Sequence, residues 1–265
     1  MITTKQFPRE REGGGFMNTF RLAAVWLLLA SPGWAKGIGV VVLDSPSEMV
    51  QVRIMVRAGS AADPAGREGL AALTSRMLLE GSSGTPSAPV TKEMLADIVR
   101  PWGEGASPAV TVEKETSTFR FSVPKEVFSE YVHKVLEPLL TLPLFDEEEL
   151  QRIRKETEVY ITATLRLENT ELLGLYALDN YVHEGTPYGH VPAGTISGLA
   201  AITADDVRRF YKTYYSGRNI TVGLSTSDPG VRRSVLDAMK KVGRSVKAKK
   251  LRPVKAAAAP AIKGR

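Results

Sequence analysis

Apolar and polar residues alternate from Val50 to Arg57, where Val50, Val52, Ile54 and Val56 are separated by Gln51, Arg53, Met55 and Arg57. A period of two is the signature of a strand with one buried face. The same pattern over Thr116 to Val123 sets Phe119, Phe121 and Val123 on one side and predicts a hairpin with Ala109 to Glu113. Ile38 to Leu43 is a further β-rich stretch, predicted to form a hairpin with the Val50 strand around Asp44-Ser45-Pro46, and Asn219 to Leu224 is the last strand.

Between these segments the period changes to that of a helix. Leu70, Leu73 and Met77 make one stripe over Glu68 to Leu79, stopped at Gly81, and a second helix fits Thr91 to Val99, ended by Pro101. Lys125 to Leu140 carries a wide apolar stripe, from Val127 and Phe128 to Leu136 and Leu139. Asp146 with Glu149 opens a helix reaching about Leu167, another spans Glu171 to Val182, and Thr203 with Asp206 opens one bearing Val207, Phe210, Tyr211 and Tyr214. Gly59 to Gly66 and Gly185 to Gly194 are loops, and a final helix fits Val231 to Val242. Strand pairs followed by runs of helices predict an α+β fold, a two-layer sandwich of a mixed, largely antiparallel sheet covered by helices.

Composition narrows the chemistry. The chain has 265 residues, 43% of them hydrophobic, enough for a sizeable core. It has no cysteine, which excludes a disulfide scaffold, a thiolate zinc site and a cysteine nucleophile. The net charge of +6 is uneven: 12 Lys or Arg against Asp237 alone give +11 from Val231 to Arg265, residues 1–35 carry +2, and residues 36–230 are therefore +6 − 11 − 2 = −7. The basicity belongs to a tail, and the body is acidic, so a nucleic-acid-binding face is not expected. No aromatic residue follows Tyr215, so the tail offers no stacking platform.

The amino terminus reads as an export signal. Arg21 is followed by a nine-residue apolar run, Leu22 to Ala30, and then by Ser31-Pro32-Gly33-Trp34-Ala35. Such an order predicts cleavage after Ala35 and a periplasmic or secreted protein; the run is shorter than the roughly 20 residues that span a bilayer. Met17 is the expected start, with residues 1–16 an untranslated leader or extension, residues 17–35 the signal, residues 36–245 the folded domain and residues 246–265 a Lys/Ala/Pro-rich linker or tail.

Three segments together resemble the pitrilysin/insulinase family of zinc metallopeptidases: Val56-Arg57-Ala58-Gly59-Ser60 through Gly69-Leu70-Ala71; the long helix from Phe145 to Glu168; and Pro187-Tyr188-Gly189 through Gly194-Thr195, Leu199, Ile202-Thr203, Phe210-Tyr211, Tyr214-Tyr215 and Asn219. The likeness covers about Gly37 to Asp228 and implies the amino-terminal half-domain of such a peptidase. In that family Gly-Leu-Ala is followed by His-x-x-Glu-His, in which two histidines on one helix face bind zinc beside a glutamate. Here those positions hold Ala72, Ser75 and Arg76. None suits the task, since Ala72 has no donor atom, Ser75 is no base near neutral pH and Arg76 is permanently cationic. Counting back from Pro187-Tyr188-Gly189 places the third ligand position near Thr162, with Glu158 arguable.

The remaining candidates are weaker on their own chemistry. His133, His183 and His190 read as surface or hydrogen-bonded histidines, Glu147-Glu148-Glu149 as a helix start favoured by the dipole, and Ser82-Ser83 as serines without a triad. The resemblance therefore implies a non-catalytic subunit with no catalytic residue, metal ligand or cofactor of its own. Such a subunit would pair with a zinc-bearing homologue, or with a second domain on a separate polypeptide, and help enclose unfolded peptide along a sheet edge. Two alternatives stand beside it: an active zinc peptidase with an unconventional or partner-completed site, and a purely structural assembly subunit.

Overall fold

The computed structural model describes residues 38–245. Seven strands are present among them: β1 (Gly39–Leu43), β2 (Met49–Val56), β3 (Ser83–Thr85), β4 (Ala88–Val90), β5 (Ala109–Val112), β6 (Ser117–Pro124) and β7 (Ile220–Ser225). Five form one sheet in the order β1-β7-β2-β6-β5, and β3 with β4 makes a separate small hairpin. All pairings in the large sheet are antiparallel except β1 with β7. The sheet is thus mixed and largely antiparallel, as its alternation predicts.

The predicted β1–β2 hairpin does not form. β7 lies between the two strands, parallel to β1 and antiparallel to β2. The link Asp44–Glu48 lacks the Asn-Gly or Gly-Gly pair that closes a tight hairpin. β7, by contrast, offers three buried apolar residues, Ile220, Val222 and Leu224, which gain most from neighbours on both sides.

The register lays these apolar rows side by side. Val52 stands opposite Phe121 and Leu224, and Ile54 opposite Phe119 and Val222. Helices cover that face: α1 (Leu70–Glu80), α2 (Lys92–Val99), the short α3 (Phe128–Tyr131) and α4 (Glu137–Thr141), α5 (Glu147–Val159), α6 (Thr170–Val182), α7 (Ile196–Ala201), α8 (Ala204–Tyr214) and α9 (Pro229–Ser245). α1 contributes Leu70, Leu73, Met77 and Leu78 to the core, and α8 contributes Val207, Phe210 and Tyr211. Each such side chain adds about 1.5–3 kcal/mol relative to exposure.

Two predicted helices are continuous in the chain but not in winding. Val132–Leu136 is π-wound between α3 and α4 and ends two residues before Pro138, whose ring clashes with the carbonyl four residues back and which has no amide hydrogen to donate. α5 passes into a nine-residue π stretch, Tyr160–Glu168. The capping box at Thr203 is present in both directions: the Asp206 amide donates to Thr203 Oγ1, and the Thr203 amide donates to Asp206 Oδ2.

The start of α1 is held by backbone contact. Gly69 has φ +106 and Gly194 φ +97, and a Cβ on Gly194 would stand 2.3 Å from the Glu68 carbonyl oxygen. Only glycine lets the 185–194 loop lie this close to α1. The expected leader, signal and tail, residues 1–35 and 246–265, lie outside the described residues.

Candidate functional site

α1 and α5 pack side by side, and a cleft of about 500 Å³ opens between them and β5. Ala72 and Arg76 from α1, Glu156 and Thr157 from α5, Tyr160, Tyr176, Pro192, Ala193 and the edge strand residues Val110 to Val112 line it. The α1 residues arrive there because positions four apart share a helix face. α1 is fixed at its start by Asp63, whose carboxylate accepts from the amides of Gly69 and Ala71 at 2.7 Å each. Burial pushes that carboxyl up to about 7 despite those hydrogen bonds.

Arg76 is the centre of the cleft. Its guanidinium donates to Glu80 at 2.6 and 3.0 Å, to Glu156 at 2.6 Å, to the Thr157 hydroxyl at 2.9 Å and to the Ile153 carbonyl at 3.3 Å. Arg152 extends the network to Glu149 and Glu156, and Lys92 adds a bond to Glu80 at 3.0 Å. Partial burial opposes the charge of Glu80, but hydrogen bonds from Arg76 and Lys92 and their positive charge outweigh it and hold the carboxyl at about 2. The same balance lowers Glu156. Two helices are therefore tied together by a planar donor that satisfies groups on both.

The other expected positions fall elsewhere. Ser75 is fully buried and turned away from the cleft, donating to the Ala71 carbonyl and bonded to the Tyr215 hydroxyl at 2.9 Å. Thr162 lies on the exposed side of the π stretch, its hydroxyl donating to the Glu158 carbonyl. The α5 residues that line the cleft with Ala72 and Arg76 are Glu156 and Thr157, six and five residues before Thr162.

The histidines are not brought together. His133 sits beside Glu137 at 3.5 Å, His183 beside Asp179 at 3.6 Å, and His190 Nδ1 lies 3.1 Å from the Val191 carbonyl. Among the described residues no three His, Cys, Asp or Glu side chains gather as a metal ion needs. Glu147 to Glu149 occupy the first turn of α5, and Ser83 is in β3. The cleft's own donors do not fit a catalytic zinc: Ala72 has no ligand atom, Thr157 is a neutral hydroxyl, and both carboxylates are committed to a guanidinium. What sequence reasoning missed was the partnership of Arg76 with Glu156 and Thr157, about 80 residues away; the Arg76–Glu80 spacing of four was its visible half.

Residues 40–173 match the insulinase family, peptidase family M16. The chain belongs to that family. The fold agrees with that of solved structures. An inactive M16 peptidase domain from Pseudomonas fluorescens superposes with a TM-score of 0.66 at 20% identity, over 84% of this chain and 52% of that one. The periplasmic protease PqqL from Escherichia coli gives 0.67 at 16% identity, over 84% of this chain and 25% of that one. A chain of complex III2 from Candida albicans gives 0.59 at 14% identity, over 83% and 47%. The chain thus spans about half the length of the first relative and a quarter of the second. No curated protein matches it. Among the described residues no helix is long and apolar enough to cross a membrane.

Proposed function

We propose that this M16 family member is a non-catalytic subunit that pairs with a zinc-bearing homologous domain and lines the peptide-holding side of the assembly. The observation that carries the reading is Arg76: a guanidinium ligated by Glu80, Glu156 and Thr157 stands where the resemblance sets a zinc ligand. A permanent cation there repels a dication and already consumes the available carboxylates. On this reading the zinc-ligand positions are Ala72, Arg76 and Thr157, the last in place of Thr162.

Peptide binding on this reading uses β5, the sheet edge beside the cleft, where an extended chain can add a strand. Export, with cleavage near Ala35, is part of the same proposal and is in keeping with the periplasmic relative. The likeness to a complex III2 chain supports a second reading, a structural subunit that binds no peptide.

Zinc titration followed by calorimetry tests the assignment. Ala72→His with Arg76→His and Thr157→Glu is expected to create a three-ligand site of micromolar or tighter affinity, about 8 kcal/mol or more. The same variant with Thr162→Glu in place of Thr157→Glu is expected to bind far more weakly. Stoichiometric zinc in the unaltered chain, with peptide cleavage lost on adding chelator, overturns the proposal. Peptide affinity measured with the partner present and absent separates it from the structural reading.

A further inference from the structure

All the helices that pack on the large sheet cover the face bearing Val52, Ile54, Phe119 and Phe121; the opposite face is open among the described residues. One row across that face reads Val41, Gly223, Arg53, Arg120 and Ala109 from β1 to β5. Two arginines are therefore register partners on adjacent antiparallel strands, with Cβ atoms about 5 Å apart. Like charges directly opposite are unfavourable in a sheet. Every alternative that would relieve them is missing: among the described residues neither guanidinium has an ion-pair or hydrogen-bond partner, and Glu104 nearby bridges to neither.

The surroundings keep the two forks free. Gly223 flanks Arg53 and Ala109 flanks Arg120, so the outer register partner of each arginine is small; a Cβ at Gly223 would stand 4.0 Å from the Arg53 Cβ. The next rung pairs Gln51 with Ser122, and the Glu104–Ala106 turn forms a wall. Together they enclose a concavity of about 320 Å³ lined by Gln51, Arg53, Gly105, Ser107, Arg120 and Ser122. This is the donor set for a multi-oxygen anion: two planar forks, an amide and two hydroxyls, although Glu104 also lines the concavity and opposes an anion there.

The geometry points to an oxyanion site on the open sheet face, in which Arg53 and Arg120 together bind a phosphoryl group. The anion removes the repulsion between the guanidinia and takes bidentate bonds from each, while Gln51 and Ser122 reach its remaining oxygens. This site is separate from the Arg76 cleft and holds whether or not the assignment of that cleft stands.

Calorimetric titration of the full chain with pyrophosphate at low ionic strength tests it. One pyrophosphate per chain is expected, weakened about tenfold by Arg53→Gln or Arg120→Gln alone and lost in the double variant. Both residues are exposed, so the variants are expected to keep the parent circular dichroism and to melt no lower than the parent, and pyrophosphate is expected to raise the melting temperature most in the parent, less in each single variant and not in the double variant. Lys247, Lys249 and Lys250 changed together to Gln report on the basic tail and are expected to leave the affinity unchanged. Affinity that follows the tail variant, or that survives the double arginine variant, overturns the proposal. Tighter binding of poly-glutamate than of pyrophosphate, lost in the double variant, also overturns it and makes the face a dock for an acidic polypeptide.

Discussion

Arginine meets two opposite settings on the two sides of this molecule. In the cleft between α1 and α5, Arg76 is three-quarters buried, and its guanidinium is saturated by two carboxylates, a hydroxyl and a backbone carbonyl. On the open sheet face, Arg53 and Arg120 face each other with no partner among the described residues. The first is a closed arrangement that welds two helices and leaves nothing for a ligand to displace cheaply. The second carries uncompensated charge in a concave, polar surround, and its electrostatics improve only when an anion arrives. Charge count alone would treat the three residues alike; what differs is how many acceptors the fold delivers to each.

Removing Arg76 breaks this contrast most severely. Arg76→Ala leaves Glu80 and Glu156 facing each other across α1 and α5 and is expected to cost about 2 kcal/mol in urea unfolding, since a half-open ion network is worth less than a fully buried one. Arg76→Lys keeps the charge but loses the fork and is expected to recover less than half of that.

Acid dissolves the same network without mutation. Glu80 and Asp206 are both held at about 2 in the folded chain, Asp206 by Thr203, Arg67 and Arg209 against the opposing effect of burial. A carboxylate depressed on folding stabilises fully above its unfolded value near 4 and loses that contribution as pH falls through the folded value. The contribution of these two carboxylates to melting is therefore expected to be flat above about pH 5 and to fall between about pH 4.5 and 2, by about 1 kcal/mol for Glu80 after solvent screening, whereas Asp63, raised to about 7 by burial, acts with the opposite sign and lowers stability as pH rises from about 4 to 7. In Arg76→Ala this acid loss is expected to shrink, because the depression of Glu80 goes with its partner.

The sheet face gives the smallest effect and the opposite sign. Arg120→Gln relieves like-charge repulsion and is expected to stabilise by about 0.3 kcal/mol at low ionic strength, vanishing near 1 M salt. Destabilisation by that substitution would mean that attractive contacts outweigh the repulsion between Arg53 and Arg120.

Much of the architecture was legible because it rests on short-range pattern. The β2 and β6 alternation, the α1 stripe with its Gly81 stop, the Thr203–Asp206 capping box and the α+β class all follow from residues within a dozen positions of one another. The resemblance carried by Gly69-Leu70-Ala71 and by the Pro187 to Asn219 segment led to the family and to Ala72 and Arg76 as residues of interest. It did not show that Glu156 and Thr157 are the partners of Arg76, because that contact joins residues about 80 positions apart.

The chain by itself determined which residues alternate, which cap, and that Arg76 has an acidic neighbour four positions on. Tertiary structure alone decided that β7 enters between β1 and β2, that Glu156 and Thr157 close around Arg76, and that Arg53 meets Arg120 across 67 positions of sequence. The physical reason is common to all three. Local propensity is written in neighbouring residues, whereas strand order and cross-element pairing are settled by which arrangement buries the apolar rows of β2, β6 and β7 together, and the polar partners follow wherever that burial places them.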